Sequence, residues 1–532
     1  MIWLSFVSIA ASIVAALALV PVVRSVARRI GIVDQPDSER KLHDAPIALG
    51  GGVAVLASLL VGFFSVIMLD RFQSESILGT VTPQWYSLIF CTLAMLAIGL
   101  IDDKWALRGR QKLLLQILII SVLVGSGTLV QKIGLLGIEV HLGSLAFPVT
   151  VLWLLVCVNA LNLIDGADGV ATTTGCFISF GLAVLSWEYG SPLGCMMAFC
   201  LAGSLIGFLV YNKPPASIFL GDAGSMVIGL LVGVLSVWAS VKGSTLLASA
   251  PIGILAIPLF DSAAAIARRL LTGRSIYTTD RAHLHHLLQK KYGHRGMLII
   301  VASLCVLTTT LAVASAHYEM PWLALLGIIV AGSFLVLTRS FGHAECRLVV
   351  IKATNMTRSF FKAPRSQMDT AEDEHHDCVP LQGDGKWHLV WEPLVHFAKA
   401  HDMAKISIDL NLSWLHEGYH ASWAERRMPE RTNQIQLRWP LLTASGTPGA
   451  PLNIGTLLIV AKADTPGIHE KFAELSLMLA DLEPQIQHVI NDLEREHIAA
   501  PRWGVNSPSP AKPAISRKEL INEVPALVSG RQ

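Results

Sequence analysis

Residues 147–171 read FPVTVLWLLVCVNALNLIDGADGVA. The first half is an apolar run of the kind that crosses a bilayer, which takes about 20 such residues. The second half places Asn159, Asn162, Asp165 and Asp168 among small residues. Ionisable groups at a membrane edge are costly, and are functional candidates by default. A segment built this way spans a membrane and delivers polar chemistry at one end.

The rest of the chain agrees with a membrane reading. Its 532 residues are 52% hydrophobic and 15% charged, with mean hydropathy +0.54. Soluble domains carry about 25% charged residues, so a purely soluble fold is excluded. The net charge of +2 is uninformative, and no basic tract points to nucleic acid as a partner. The eight cysteines show no zinc-type CxxC spacing or disulfide framework. The opening stretch MIWLSFVSIAASIVAALALVPVV has no basic n-region and no small-residue cleavage site, and is expected to be a retained first helix.

Eleven apolar segments are long enough to span, at roughly 2–23, 49–69, 84–101, 113–130, 147–164, 170–187, 192–211, 218–239, 247–267, 297–316 and 321–338. Lys and Arg concentrate in the odd-numbered loops: Arg24, Arg28, Arg29, Arg40 and Lys41 in the first, Lys104 to Lys112 in the third, Arg268 to Arg295 in the ninth. The positive-inside rule then makes those loops cytoplasmic. The expected fold is an all-α polytopic membrane protein with the N-terminus outside and the C-terminus inside. The outer segment QKIGLLGIEVHLGSLAF alternates around Gly137 and Gly143 and fits a short hairpin.

From about residue 341 the composition turns polar. The reading divides the chain into a membrane domain (1–340), a linker (341–385, including DTAEDEHHD), a small cytoplasmic α+β domain (386–498) and a disordered tail (499–532). Within the third part, WHLVWEPLVHFAKAH fits an amphipathic helix, KISIDLNL, TNQIQLRW and GTLLIVAKA fit strands, and 469–496 fits a long helix interrupted at Pro484. Trp387, Trp391, Trp414 and Trp423 read as core.

On this topology four separated segments bring polar groups to one membrane face. They are Asp102 and Asp103, the cluster Asn159 to Asp168, Asp222 in FLGDAGS, and Arg281, His283, His285 and His286 in RAHLHHLL. Carboxylate and amide oxygens suit Mg²⁺, which takes one or two protein carboxylates plus substrate phosphate. Arginine and histidine suit phosphate oxygens. Taken singly, each motif has a plainer reading: a charged helix end, a solvated or zinc-binding helix, an N-capped helix start. Asp70 and Glu188 read as structural charges at the outer edge. The coincidence of the four points to metal-assisted phosphoryl transfer at the inner leaflet. Lys41, in the Gly-rich approach to the second helix, is a candidate for substrate contact.

The ordered stretches DQPDSERKLHDAPIALGGGVA, IDDKWALRGRQKLLLQ, NALNLIDGADGVA, FLGDAGS and HLHHLLQKKYGHRG resemble the polyprenyl-phosphate N-acetylhexosamine-1-phosphate transferases of glycosyltransferase family 4. The resemblance covers roughly residues 1–340. It implies transfer of a sugar 1-phosphate from a UDP-sugar to a polyprenyl phosphate, with release of UMP, a need for Mg²⁺ (Mn²⁺ substituting), and a bacterial inner-membrane fold of ten or eleven helices with a cytoplasmic site. Carried over by motif, Asp222 is the main metal ligand with Asn162 assisting. Asp102 and Asp103 form the acidic pair, and Lys112 approaches the lipid phosphate or the diphosphate. Asp165 and Asp168 line the nucleotide side with Asn159 beside them, and His283, His285 and His286 hold the diphosphate. Family members are often described with an aspartate base. A phosphate monoester has a second pKa near ~6, so the nucleophile is already mostly dianionic at pH 7 and a base gains little.

HLHH and KLHDAP…GGG look more like the enzymes that use UDP-N-acetylglucosamine than those that use UDP-N-acetylmuramoyl-pentapeptide, which carry three successive histidines and a P-T-M-G-G stretch. UDP-N-acetylgalactosamine is a further alternative donor. A protein partner or homodimer, through the membrane or C-terminal domain, is a further expectation. The rival class is a polytopic transporter, which places its acidic groups near the bilayer midplane in repeated halves. Here they lie at helix ends, and no repeat is visible.

Overall fold

The computed structural model describes residues 2–34, 46–72, 78, 82–135, 138–239, 246–247, 249–272, 282–361, 375–382, 385–412, 415, 417–425, 429–443 and 452–499. Helix α1 (Ile2–Ile30) is followed by the short antiparallel pair β1 (Val33–Asp34) and β2 (Ile47–Ala48), then by α2 (Gly51–Arg71), α3 (Pro83–Trp105) and α4 (Gly109–Gly125). A hairpin of β3 (Lys132–Leu135) and β4 (Ile138–His141) bears out the expected turn and leads into α5 (Ala146–Ile164), α6 (Val170–Glu188), α7 (Pro192–Asn212) and α8 (Gly221–Trp238). Strand β5 (Leu246–Leu247) adds in parallel to β3. It precedes α9 (Ser249–Ile254), α10 (Ala256–Thr272), α11 (Leu284–His317) and α12 (Trp322–Leu337).

Among the described residues eight helices are long and apolar enough to cross a membrane, namely α1, α2, α3, α5, α6, α7, α8 and α11, and α12 is a shorter apolar helix. The chain is a multi-pass membrane protein. The expected ninth span, 247–267, is broken at Leu255 into α9 and α10. Helix α11 starts 13 residues earlier than the apolar run beginning at 297 and bends at Gly293, where φ is +70°.

Helices α7 and α8 are the most enclosed spans, each 83% buried over its apolar window, whereas α1 is 22% buried and peripheral. Close packing around α8 depends on missing side chains. A Cβ on Gly99 of α3 would lie 2.2 Å from the Ala223 Cα, and one on Gly52 of α2 would lie 2.4 Å from the Gly224 amide nitrogen. Backbones that approach this closely bring the starts of α2 and α8 and the end of α3 together.

Helix α13 (His343–Phe361) and strand β6 (His375–Gln382) occupy parts of the expected linker. Then follow α14 (His388–Ala400), β7 (Lys405–Leu412), β8 (Glu417–Ala424), β9 (Gln434–Thr443), β10 (Leu452–Lys462) and α15 (Ile468–Ala499). The antiparallel sheet runs β6-β8-β7-β10-β9. Its inward residues Ile406, Ile408, Leu410, Leu457 and Ile459 pack with Trp387, Trp391, Trp423, Leu475 and Leu479. Strand β8 is not expected from sequence, because EGYHASWA carries no β-branched residue; pairing on both edges makes it a strand. Helix α15 runs unbroken through Pro484, contrary to expectation. Pro484 sits on the exposed face, where water can satisfy the freed carbonyl, while Leu482, Ile486 and Ile490 stay buried. Trp414, residues 369–374 of DTAEDEHHD and the tail from 500 lie outside the described residues.

Candidate active site

The basic end of the helix bundle gathers the polar residues. Asp102 and Asp103 end α3, Lys112 lies in the first turn of α4, Asn162 closes α5, and Asp222 opens α8. Lys112 is the hub: its Nζ lies 2.8 Å from Asp102 Oδ2, 3.1 Å from Asp222 Oδ2 and 3.2 Å from Asn162 Oδ1. Asn162 in turn donates through Nδ2 to Asp222 Oδ1 and, at 2.9 Å, to Ser225 Oγ. Three oxygens from three helices therefore converge on one cationic position.

The second oxygen of Asp102 accepts the Leu107 amide at 2.7 Å, which fixes the turn that carries the chain from α3 into α4. Asp103 faces the other way. Its Oδ1 accepts the Asp222 amide at 2.7 Å and its Oδ2 the Ala223 amide at 3.3 Å. The acidic pair thus divides its work: Asp102 holds the lysine, and Asp103 caps the helix that bears Asp222.

Among the described residues no group of three or more His, Cys, Asp and Glu side chains stands at metal-holding spacing. Two carboxylates and an amide oxygen around one position still fit a hard, oxygen-seeking cation that completes its shell with water and phosphate.

The loop after α5 forms a second wall. Asp165 is half-buried beside it, and burial together with the charges of Asp222, Asp103 and Asp168 pushes its carboxyl well above the usual carboxylate range. Asp168 is tied down, its Oδ2 accepting the Ala216 amide at 2.9 Å. Asn159 points into the bundle, donating to Gln116 Oε1 at 2.9 Å and to the Leu155 carbonyl at 2.8 Å. Gly166 lies against the His285 ring, where a Cβ would come within 2.1 Å of Nε2.

The three histidines differ in setting. His285 is 1% exposed, and among the described residues neither ring nitrogen has a hydrogen-bond partner. His283 is buried, with Nδ1 3.0 Å from Asp261 Oδ2. His286 is the half-exposed one, and its ring centroid is 4.2 Å from that of His285. Lys41 and Arg281 lie outside the described residues. Sequence reasoning missed Gln116, Ser225 and Asp261. Only Asp261 left a signal, as a lone carboxylate inside the apolar run 247–267.

A model of glycosyl transferase family 4 matches residues 85–240, the stretch from α3 to the end of α8. A Bacillus subtilis protein named "Probable undecaprenyl-phosphate N-acetylglucosaminyl 1-phosphate transferase" is 33% identical over 294 residues, 54% of this chain and 79% of that protein. The decaprenyl-phosphate N-acetylglucosaminephosphotransferase of Mycobacterium tuberculosis is 31% identical, over 56% of this chain and 79% of its own length. The undecaprenyl-phosphate alpha-N-acetylglucosaminyl 1-phosphate transferase of Escherichia coli is 26% identical, over 58% and 83%. With a relative this similar matched over most of its length, and the oxygen-rich centre falling within the matched helices, the chain belongs to glycosyl transferase family 4.

Proposed function

We propose that the protein transfers N-acetylglucosamine 1-phosphate from UDP-N-acetylglucosamine to undecaprenyl or another polyprenyl phosphate, releasing UMP and starting a lipid-linked surface glycan. Its place is the bacterial inner membrane, with eleven spans and the site on the cytoplasmic side. The observation that carries the reading is the convergence of Asp102, Asp222 and Asn162 oxygens on Lys112 Nζ at the basic end of the bundle. The three relatives above bear names for this type of transfer.

In the reaction an oxygen of the lipid phosphate bonds to the β-phosphorus of the UDP-sugar. The bond from that phosphorus to the bridging oxygen breaks, and UMP departs with the electron pair. Asp222 and Asn162 would hold Mg²⁺, or Mn²⁺ in its place, which when bound spreads the diphosphate charge. Lys112 supplies a fixed positive charge beside the reacting phosphates, and Asp102 holds it there. His286, the half-exposed histidine, would face the diphosphate together with His283. The phosphate nucleophile is already largely ionised, so the carboxylates serve to position rather than to remove a proton.

UMP release by purified protein with undecaprenyl phosphate and Mg²⁺ tests the proposal. UDP-N-acetylglucosamine, UDP-N-acetylgalactosamine and UDP-N-acetylmuramoyl-pentapeptide are compared, with Asp222→Ala as control. Lipid-dependent turnover of the first donor, lost in the variant, is expected. Turnover of another donor alone would reassign the sugar, and no turnover with any would overturn the reading.

A further inference from the structure

Two of the buried polar side chains of helix α10, Asp261 and Arg268, have no part in the roles above, and both reach the segment bearing the histidines. Asp261 is fully buried; its Oδ1 accepts the Leu284 amide at 2.7 Å, and its Oδ2 stands 3.0 Å from His283 Nδ1. Seven residues on, Arg268 is 1% exposed and donates through Nη2 to the Ala282 carbonyl at 3.0 Å. Its guanidinium is ion-paired with Glu345 of α13. Seven residues make about two helical turns, so the two side chains leave one face of α10. Together they grip residues 282–284.

The grip replaces a local cap. His283 is the N-cap residue of α11 and makes no side-chain cap of its own. The amide of Leu284 instead finds its acceptor on another helix, in Asp261. A buried carboxylate is costly unless its oxygens are satisfied; here Oδ1 accepts the Leu284 amide and Oδ2 lies within hydrogen-bond distance of the His283 ring. The imidazole must carry its proton on Nδ1 to donate to Oδ2, which leaves Nε2 as the nitrogen that can meet a ligand. A ring that also donates through Nε2 to a phosphate is then a cation held between two anions.

We propose that Asp261 is a positioning residue for His283, holding the proton on Nδ1 and aiming Nε2 at the diphosphate of the sugar nucleotide, with Arg268 and Glu345 bracing the same segment. The aim toward a diphosphate rests on the function proposed above; the orientation of the ring does not.

Two measurements on the full-length protein test it. In ¹⁵N-histidine NMR, with His283 assigned by its loss in His283→Gln, the neutral ring is expected as the Nδ1–H tautomer. In Asp261→Asn it is expected to switch to Nε2–H, because the amide now donates to Nδ1 while its oxygen still accepts the Leu284 amide. A wild-type Nε2–H tautomer would overturn the proposal whatever the enzyme's donor. The second measurement is a double-mutant cycle on kcat/KM for the sugar nucleotide. Asp261→Asn and His283→Gln are each expected to lose about 10- to 100-fold, and the double variant no more than His283→Gln alone. Losses that multiply would make Asp261 merely structural. Wild-type protein that turns over no donor would count against the function, and the NMR result would still decide the orientation.

Discussion

Asp103 of α3 caps the helix that carries Asp222: its carboxylate takes the amides of Asp222 and Ala223 at 2.7 and 3.3 Å, across 119 and 120 residues of chain. Gly221 makes the approach feasible. Its φ is +74°, and a Cβ there would fall 2.6 Å from Asp103 Oδ2. The position of the principal candidate metal ligand is thereby set from a different helix.

Asp103→Ala is expected to lose about 1 kcal/mol of stability, the worth of a lost cap, along with most activity. Asp103→Asn keeps one acceptor and should be milder in both respects. Thermal unfolding and UMP release measured on the same preparations check this. Unchanged unfolding with abolished turnover in Asp103→Ala would instead place the carboxylate against the reactants.

For Asp102 the discriminating measurement is a pH–rate profile. If the carboxylate only holds Lys112 and the Leu107 turn, Asp102→Asn should keep an alkaline plateau of height comparable to wild type. Restoration of the rate only as pH rises well past neutrality would identify a lost general base.

Lys112→Ala removes the cation on which three oxygens converge. Stability of the metal-free protein should fall by at most about 3 kcal/mol, the low end for a broken buried pair, because the Asp222 side chain is 35% exposed. Added Mg²⁺ should then raise the unfolding temperature of the variant more than that of wild type. No Mg²⁺ response in either protein would mean that the oxygens do not form a cation site.

Gly99→Ala would drive a methyl group into the Ala223 backbone. Overpacking of this kind costs about 1–3 kcal/mol, and it separates Asp103 from the amides it caps. Activity should therefore fall further than stability. Gly125→Ala is the control, since a Cβ there meets nothing within 4 Å among the described residues, and it should be neutral or slightly stabilising.

Asp165 is the residue for which pH matters. Its raised carboxyl pKa means that the folded state binds a proton the unfolded state has released, between the ordinary carboxylate range and the raised value. Stability contributed by that proton is lost as pH rises through this window. Asp165→Asn should therefore raise the unfolding temperature of metal-free protein at neutral pH, and less so near pH 4, while lowering turnover. An equal effect at both pH values would contradict the shift.

The apolar runs placed most helices of the bundle, because burial in lipid depends on each segment's own composition. The same runs put Asp102, Asn162, Asp222 and the histidines at helix ends that basic residues mark as one side, so these members of the candidate site were legible from sequence, whereas Gln116, Ser225 and Asp261 were missed. Pairing was not. That Asp103 caps α8, that His285 is shut behind Gly166, and that Asp261 holds His283 all depend on contacts between helices far apart in the chain. The break at Leu255 and the unbroken passage through Pro484 were equally illegible, because each is decided by what packs beside it. Hydropathy is a sum over neighbours in the chain, and it determined the bundle. Hydrogen bonds and close backbone contacts join neighbours in space, and only the tertiary structure decided those.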